Sequence, residues 1–133
     1  KIKILMIYRS KTTVKGYELD SYGHLNNAVY LNYTEQARWE ILENKGLLDI
    51  FLKKDFLLVV TETNIRYKRE LKLFDQVQIE TEVKFEAPYL VFYHNIINDH
   101  SDYNAAKAMV KTLLINKERI PQDIPEELLA ITK

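Results

Sequence analysis

The stretch Asn27-Ala-Val-Tyr-Leu-Asn-Tyr-Thr-Glu-Gln-Ala-Arg-Trp-Glu-Ile41 decides the fold. Tyr30, Tyr33, Thr34, Ala37 and Ile41 recur in steps of three and four, which is the period of one helix face. The middle of that face is small (Thr34, Ala37), so the helix can lie close to a sheet. Asn26 or Asn27 can cap its first turn. Residues 44–46, ending in Gly46, supply the stop. Residues 47–52 fit a short second helical piece.

Just upstream lies a polar loop, Glu18-Leu-Asp-Ser-Tyr-Gly-His-Leu-Asn-Asn27. It carries acids, an imidazole and two carboxamides, and one of only three glycines in the chain. A carboxylate just before a helix start can attack, or activate water against, a carbonyl polarised by free backbone N–H groups. Before the loop, residues 8–14 are rich in Thr, Val and Tyr and read as a first strand, which Gly16 ends.

Downstream of the helix the period shortens. Residues 56–67 begin apolar on both faces and then alternate, as a strand buried on both sides at one end would. Residues 76–85 alternate, with Val77, Ile79, Val83 and Phe85 facing one way. Ala87-Pro88 breaks the run, and residues 89–97 are dense in aromatic and β-branched side chains. Residues 98–104 have turn composition, and 106–115 follow as a last strand. Pro125 with Glu126 and Glu127 reads as a short helix start. Four strands in succession with short connections predict an antiparallel meander. One helix on that sheet makes a two-layer α+β domain. The apolar side chains of the other sheet face are expected to be partly covered by a second subunit.

The chain has 133 residues, enough for one domain, taken as 1–133. It is 47% hydrophobic and 29% charged, in the range of soluble globular proteins. Its 19 basic and 19 acidic residues cancel, so no global charge favours nucleic acid or an anionic membrane. There is no cysteine, which excludes disulfides, zinc–thiolate sites and thiol nucleophiles, and fits a cytoplasmic location. No apolar run approaches a membrane span. Residues 1–8 are too short for a signal h-region, though the chain starts at Lys1 and a trimmed leader stays open. Asn32-Tyr-Thr34 matches a glycosylation pattern by chance, inside the expected helix. His94 and His100 stand alone, and no metal or cofactor is expected.

The residues Asp20-Ser-Tyr-Gly-His-Leu-Asn-Asn-Ala-Val-Tyr30, followed by Glu35-Gln-Ala-Arg-Trp39, resemble the hotdog-fold acyl-CoA thioesterases of the 4-hydroxybenzoyl-CoA thioesterase type. The pattern is most similar to bacterial long-chain acyl-CoA thioesterases and plant acyl-ACP thioesterases. Residues 58–69 and 73–77 are similar to the family's second strand and the turn after it. The resemblance implies a five-stranded antiparallel sheet wrapped around one long central helix, in homodimers or homotetramers with sites at the subunit interface. It also implies that Asp20 is the catalytic carboxylate and that the backbone N–H aligned with Asn27 polarises the thioester carbonyl. The aromatic-CoA subtype lacks an equivalent of His24-Leu-Asn26-Asn27, so a fatty acyl group is expected.

Residue types alone weigh differently. Asp20 reads first as a turn or cap aspartate and second as a nucleophile or general base, and the motif reverses that order. His24 fits equally a loop-orienting or thioester-bonding group and a buried, backbone-bonded histidine. Asn26 and Asn27 read as capping and loop-fixing side chains whose N–H groups can form an oxyanion site. Tyr30 packs on the core stripe with its hydroxyl near the loop. Glu35 is the rival catalytic acid, read first as an ion pair with Arg38 or a lysine. Arg66, Lys68 and Arg69 are either a solvated strand end or a receptor for the phosphates of CoA or a phosphopantetheine arm. The expected activity is hydrolysis of a fatty acyl-CoA. Acyl-ACP hydrolysis and a non-catalytic acyl-thioester-binding protein are the alternatives.

Overall fold

The computed structural model describes residues 6–133. The stretch 1–8 read above against a signal segment therefore lies largely outside the described residues. Five strands form one antiparallel sheet: β1 Tyr8–Thr13, β2 Leu57–Tyr67, β3 Gln76–Glu86, β4 Tyr89–Asn98 and β5 Tyr103–Ile115. Helix α1 spans Val29–Asn44, α2 Leu48–Lys54 and α3 Glu126–Leu129. At 16 residues α1 is of modest length, and it shares the sheet with α2 and α3.

The helix forms where its period placed it. Tyr30, Tyr33, Thr34, Ala37 and Ile41 are all buried, joined by Leu42. This face meets β1, β3 and β4. Near the helix start the core gathers Tyr30, Ala37, Leu71, Ile79 and Ile96. Towards its end it gathers Ile41, Leu90, Phe92, Val110 and Leu128. Thr34 and Ala37 leave room between the two clusters for close approach. Gly46 ends the helix in the left-handed region, φ 66°. Leu47 N–H donates to Leu42 C=O at 2.9 Å and Gly46 N–H to Glu43 C=O at 3.0 Å. Those two bonds are the Schellman arrangement, which satisfies carbonyls the last turn leaves open.

The strand order is β1-β3-β4-β5-β2. Only β3, β4 and β5 form the expected meander. β2 pairs with β5, and the chain crosses the end of the sheet to reach β3. Lys68 and Arg69 N–H both donate to Ala105 C=O at the turn-off. Alternation reports which face a side chain takes and is silent on which strand lies beside it.

β2 is consequently an edge strand, and its first residues are not buried on both sides. Leu57 is 52% and Val60 50% exposed. Phe85, expected in the core, is 45% exposed beside the turn that joins β3 to β4. Tyr103 and Asn104, read as turn, begin β5 because they pair with Asn98 and Ile97. The outer sheet face mixes charge with apolar side chains such as Val91 and Tyr93. Arg9–Glu80, Lys84–Glu82 and Lys111–Glu62 lie at 3.3, 3.5 and 3.6 Å. One group of large exposed apolar side chains lies beside the start of β2, where Trp39 (54%) and Leu52 join Leu57 and Val60.

Candidate active site

Two segments build the loop before α1. Val14 N–H donates to Asp75 C=O and Phe74 N–H to Val14 C=O, both at 3.0 Å. Leu25 N–H donates to Leu71 C=O at 2.7 Å, and His24 bridges Lys72. The stretch between β2 and β3 is thus a splint for the loop. Glu18 adds a second tie. Its Oε1 accepts from Lys15 N–H at 2.9 Å and from the Tyr33 hydroxyl at 2.7 Å, and its C=O accepts from Asn26 N–H at 2.9 Å. Burial raises the Tyr33 hydroxyl pKa well above the usual range, and the bond donated to Glu18 raises it further.

Asp20 closes a tight turn on itself. Its N–H donates to His24 C=O at 2.8 Å, and its C=O accepts from Gly23 N–H at 3.1 Å. Its Oδ1 accepts from Tyr22 N–H at 2.8 Å and His24 N–H at 3.1 Å. Gly23 sits at φ 78°, where a side chain would strain the turn. Oδ1 is therefore committed to the loop. Oδ2 has no partner among the described residues. The turn-forming role and an available carboxylate oxygen coexist in one side chain.

The helix start is shaped by the two asparagines in different ways. Asn26 Oδ1 accepts from Ala28 N–H, and Asn26 C=O from Val29 N–H, both at 2.9 Å. Asn26 is thus the side chain that orders the entry to the first turn, two residues ahead of the helix cap at Ala28. Asn27 C=O accepts the Tyr67 hydroxyl at 3.0 Å, while the Asn27 N–H has no acceptor among the described residues. Tyr67 also packs edge-on against Tyr30, with ring centroids 5.1 Å apart at 78°. Burial, with the neighbouring Tyr103 and Tyr67 adding to it, pushes the Tyr30 hydroxyl up to about 12. Tyr67 and Glu18 escaped the residue-by-residue reading. Glu18 lay inside the quoted loop, and Tyr67 offered only the inward parity of an aromatic at a strand end.

The basic residues do not form one cluster. Arg66 lies across from Lys107, on the sheet face opposite to that of its neighbour Tyr67. Lys68 and Arg69 follow the strand, and the Arg69 guanidinium stacks on the Tyr103 ring at 4.1 Å. None of the three has a carboxylate within ion-pair distance among the described residues. The Glu70 carboxyl lies below its usual range, chiefly through its own backbone N–H and then through His24, Lys72 and Arg69.

Glu35 does not pair with Arg38. Its Oε2 accepts the Trp39 indole N–H at 3.3 Å. Arg38 turns to the sheet, where Nη1 faces His94 Nε2 at 3.4 Å, and His94 Nδ1 meets Thr81 Oγ1 at 2.8 Å. The guanidinium carries only donors, so Nε2 accepts and Nδ1–H donates to Thr81. Burial, reinforced by the Arg38 charge, holds His94 down to about 3. Beside this pair, a cavity of about 750 Å³ opens between the later half of α1, α2 and the start of β2. Arg38, Trp39, Leu42, Phe51, Leu58 and Val60 help line it, and no residue of the loop 18–27 does.

Comparison with known proteins agrees with this architecture. The chain is 37% identical over 76 residues to the long-chain acyl-CoA thioesterase FadM of Escherichia coli (strain K12), covering 57% of this chain and 58% of that protein. It is 28% identical over 85 residues to the chloroplastic acyl-acyl carrier protein thioesterase ATL3 of Arabidopsis thaliana, covering 63% and 45%. The matches thus span about half the length of these two curated relatives. The crystal structure of YbaW, a probable thioesterase from Escherichia coli, superposes with TM-score 0.83 at 28% identity, covering 93% of this chain and 95% of that one. A Staphylococcus aureus protein solved in complex with CoA shares the fold, with TM-score 0.86 at 17% identity over 98% of this chain and 84% of that one. The family described as the Thioesterase-like superfamily matches residues 14–131, and this chain, with its five-stranded antiparallel hotdog-like sheet and helices, belongs to it.

Proposed function

We propose that this protein hydrolyses acyl-CoA thioesters, with a fatty acyl group, to free acid and CoA. The observation that carries the proposal is the pairing of a held carboxylate with an open backbone donor. Asp20 is fixed through Oδ1 and leaves Oδ2 free, and Asn27 N–H at the helix entry has no acceptor among the described residues. In this reading the Asn27 N–H, with the positive end of α1 behind it, receives the carbonyl oxygen as it becomes an oxyanion. Asp20 Oδ2 either attacks the carbonyl carbon or takes a proton from the water that does. The C–S bond then breaks and CoA leaves as a thiolate that gains a proton. On the direct route, water hydrolyses the resulting anhydride. His24 and Asn26 hold the loop, and Tyr30 and Tyr67 hold the helix entry. Lys68 and Arg69, and Arg66 across the sheet, are the cations that would meet phosphates.

The same proposal includes self-association. β2 is an 11-residue edge strand whose outer edge pairs with no strand among the described residues, and it exposes Leu57 and Val60. Such an edge is a template for a second strand. A second copy in a homodimer or homotetramer would cover it, and light scattering behind size-exclusion chromatography tests this.

Activity is tested by giving the purified protein palmitoyl-CoA and the matching acyl-ACP and following thiol release with a chromogenic reagent. The expected result is release from the CoA ester that Asp20→Asn abolishes. Full activity in that variant overturns the assignment of Asp20. Saturable binding without release, over a panel of chain lengths and both carriers, overturns the enzymatic reading in favour of a binding protein.

A further inference from the structure

The Arg38 guanidinium is a partly buried cation without a counter-ion. No carboxylate lies within ion-pair distance of it among the described residues, and residues 1–5 contain no acid. The nearest acid on its own helix, Glu35, contributes only at longer range and bonds Trp39 instead. The one polar side chain Arg38 bonds is His94, a neutral acceptor that is 2% exposed. Among the described residues its other two nitrogens have no protein acceptor, yet no buried donor is unsatisfied. They are therefore open, and Arg38 lines the cavity.

A cation withdrawn from water without an anion is costly, and a guanidinium cannot shed its charge. The natural complement is an anion that brings two acceptor oxygens in a plane. The walls of the cavity are mostly apolar, with Trp39, Leu42, Phe51, Leu58 and Val60. Its other polar members are Thr112, the pair Asp55 and Lys117, and Glu35, which is engaged with Trp39. The other cation there, Lys117, is already paired with Asp55 at 3.4 Å. The space, about 750 Å³, lies within the ~300–1,000 Å³ of small-ligand sites.

We infer that this cavity is a binding site for a free fatty acid, with its carboxylate on the open guanidinium edge of Arg38 and its alkyl chain along Leu42, Phe51, Leu58 and Val60. A thioester has no charge to place on Arg38, so the site discriminates acid from ester. That fatty acids are the product class rests on the proposed hydrolysis, and in that setting the site retains product and slows turnover as acid accumulates. Binding itself does not rest on it.

Trp39 is the only tryptophan in the chain and lines the cavity, so its fluorescence reports occupancy. The wild-type protein is titrated at neutral pH with a fatty acid, its methyl ester and the primary amine of the same chain length. A charge-assisted contact predicts that the acid binds roughly 10- to 100-fold more tightly than the ester, and the amine most weakly. This series needs no variant and does not depend on one folding. In Arg38→Met the acid should bind no better than the ester, while ester binding stays unchanged. Arg38→Lys should restore part of the preference. Equal binding of acid and ester by wild type, or an acid preference that survives in Arg38→Met, overturns the inference. Thiol release is scored separately. Hydrolysis without acid preference sinks this site alone, and acid preference without hydrolysis sinks only the proposed activity.

Discussion

The hydroxyl of Tyr67, the last residue of the edge strand, donates to the backbone carbonyl of Asn27 at 3.0 Å across 40 residues of chain. That bond fixes the entry of α1 against β2, and the Tyr30 ring is stacked edge-on inside the same corner. The position of the Asn27 N–H follows from the position of its residue, so Tyr67 acts on the candidate oxyanion site through the backbone. Tyr67→Phe keeps the ring contact and removes the bond. We expect a loss of about 0.5–1.5 kcal/mol in stability, read by thermal or urea unfolding. We also expect kcat to fall several-fold with KM little changed. An unaltered kcat would show that the corner tolerates a free Asn27 carbonyl.

Asp20 combines two duties that substitutions can separate. In Asp20→Asn the amide oxygen still accepts from Tyr22 and His24 N–H, so the turn survives while the carboxylate is lost. Stability should stay within ~0.5 kcal/mol of wild type and hydrolysis should vanish. Asp20→Ala removes both and should cost about 1–2 kcal/mol in addition. If both variants are equally destabilised, Oδ1 is not what holds the loop.

His94 makes the fold acid-sensitive. Its folded value of about 3 lies below the ordinary 6.5 for histidine. Between those values the unfolded chain binds a proton that the native state refuses. The stabilisation is therefore complete above pH 6.5 and shrinks as pH falls from there towards 3. The slope approaches ~1.4 kcal/mol per pH unit. Replacing His94 with Gln keeps an acceptor for Arg38 and removes the titration. Urea denaturation across this window should show a flatter pH dependence in the variant, and identical slopes would count against the assignment.

Gly46 is a stop signal that can be tested without touching the site. At φ 66° a Cβ would meet nothing within 4 Å, so Gly46→Ala carries a backbone cost alone. About 1–2 kcal/mol is expected, with activity per folded molecule unchanged. A neutral result would mean that the helix end relaxes into another cap.

Much of this protein is written locally. The 3.6-residue period of Tyr30 to Ile41 and the two-residue period of Val77 to Val83 are properties of neighbouring residues, and both recur as buried faces. Gly46 ends α1 because only its own backbone need turn left-handed. Asp20 and Asn26 are legible for the same reason, since each bonds N–H groups two to four residues away.

The tertiary structure decided what those faces meet. Nothing within residues 57–67 states that they pair with β5 rather than β3, because alternation carries parity and no address. That choice exposes Leu57 and Val60 and opens the cavity beside them. It also delivers Tyr67 to Asn27. The contact of Arg38 with His94 spans 56 residues, and that of Glu18 with Tyr33 joins a loop to a helix. Side chains of that separation are brought together by the burial of the whole sheet. Their bonds, and the perturbed titrations of His94 and Tyr33, exist only once water has been removed from around them.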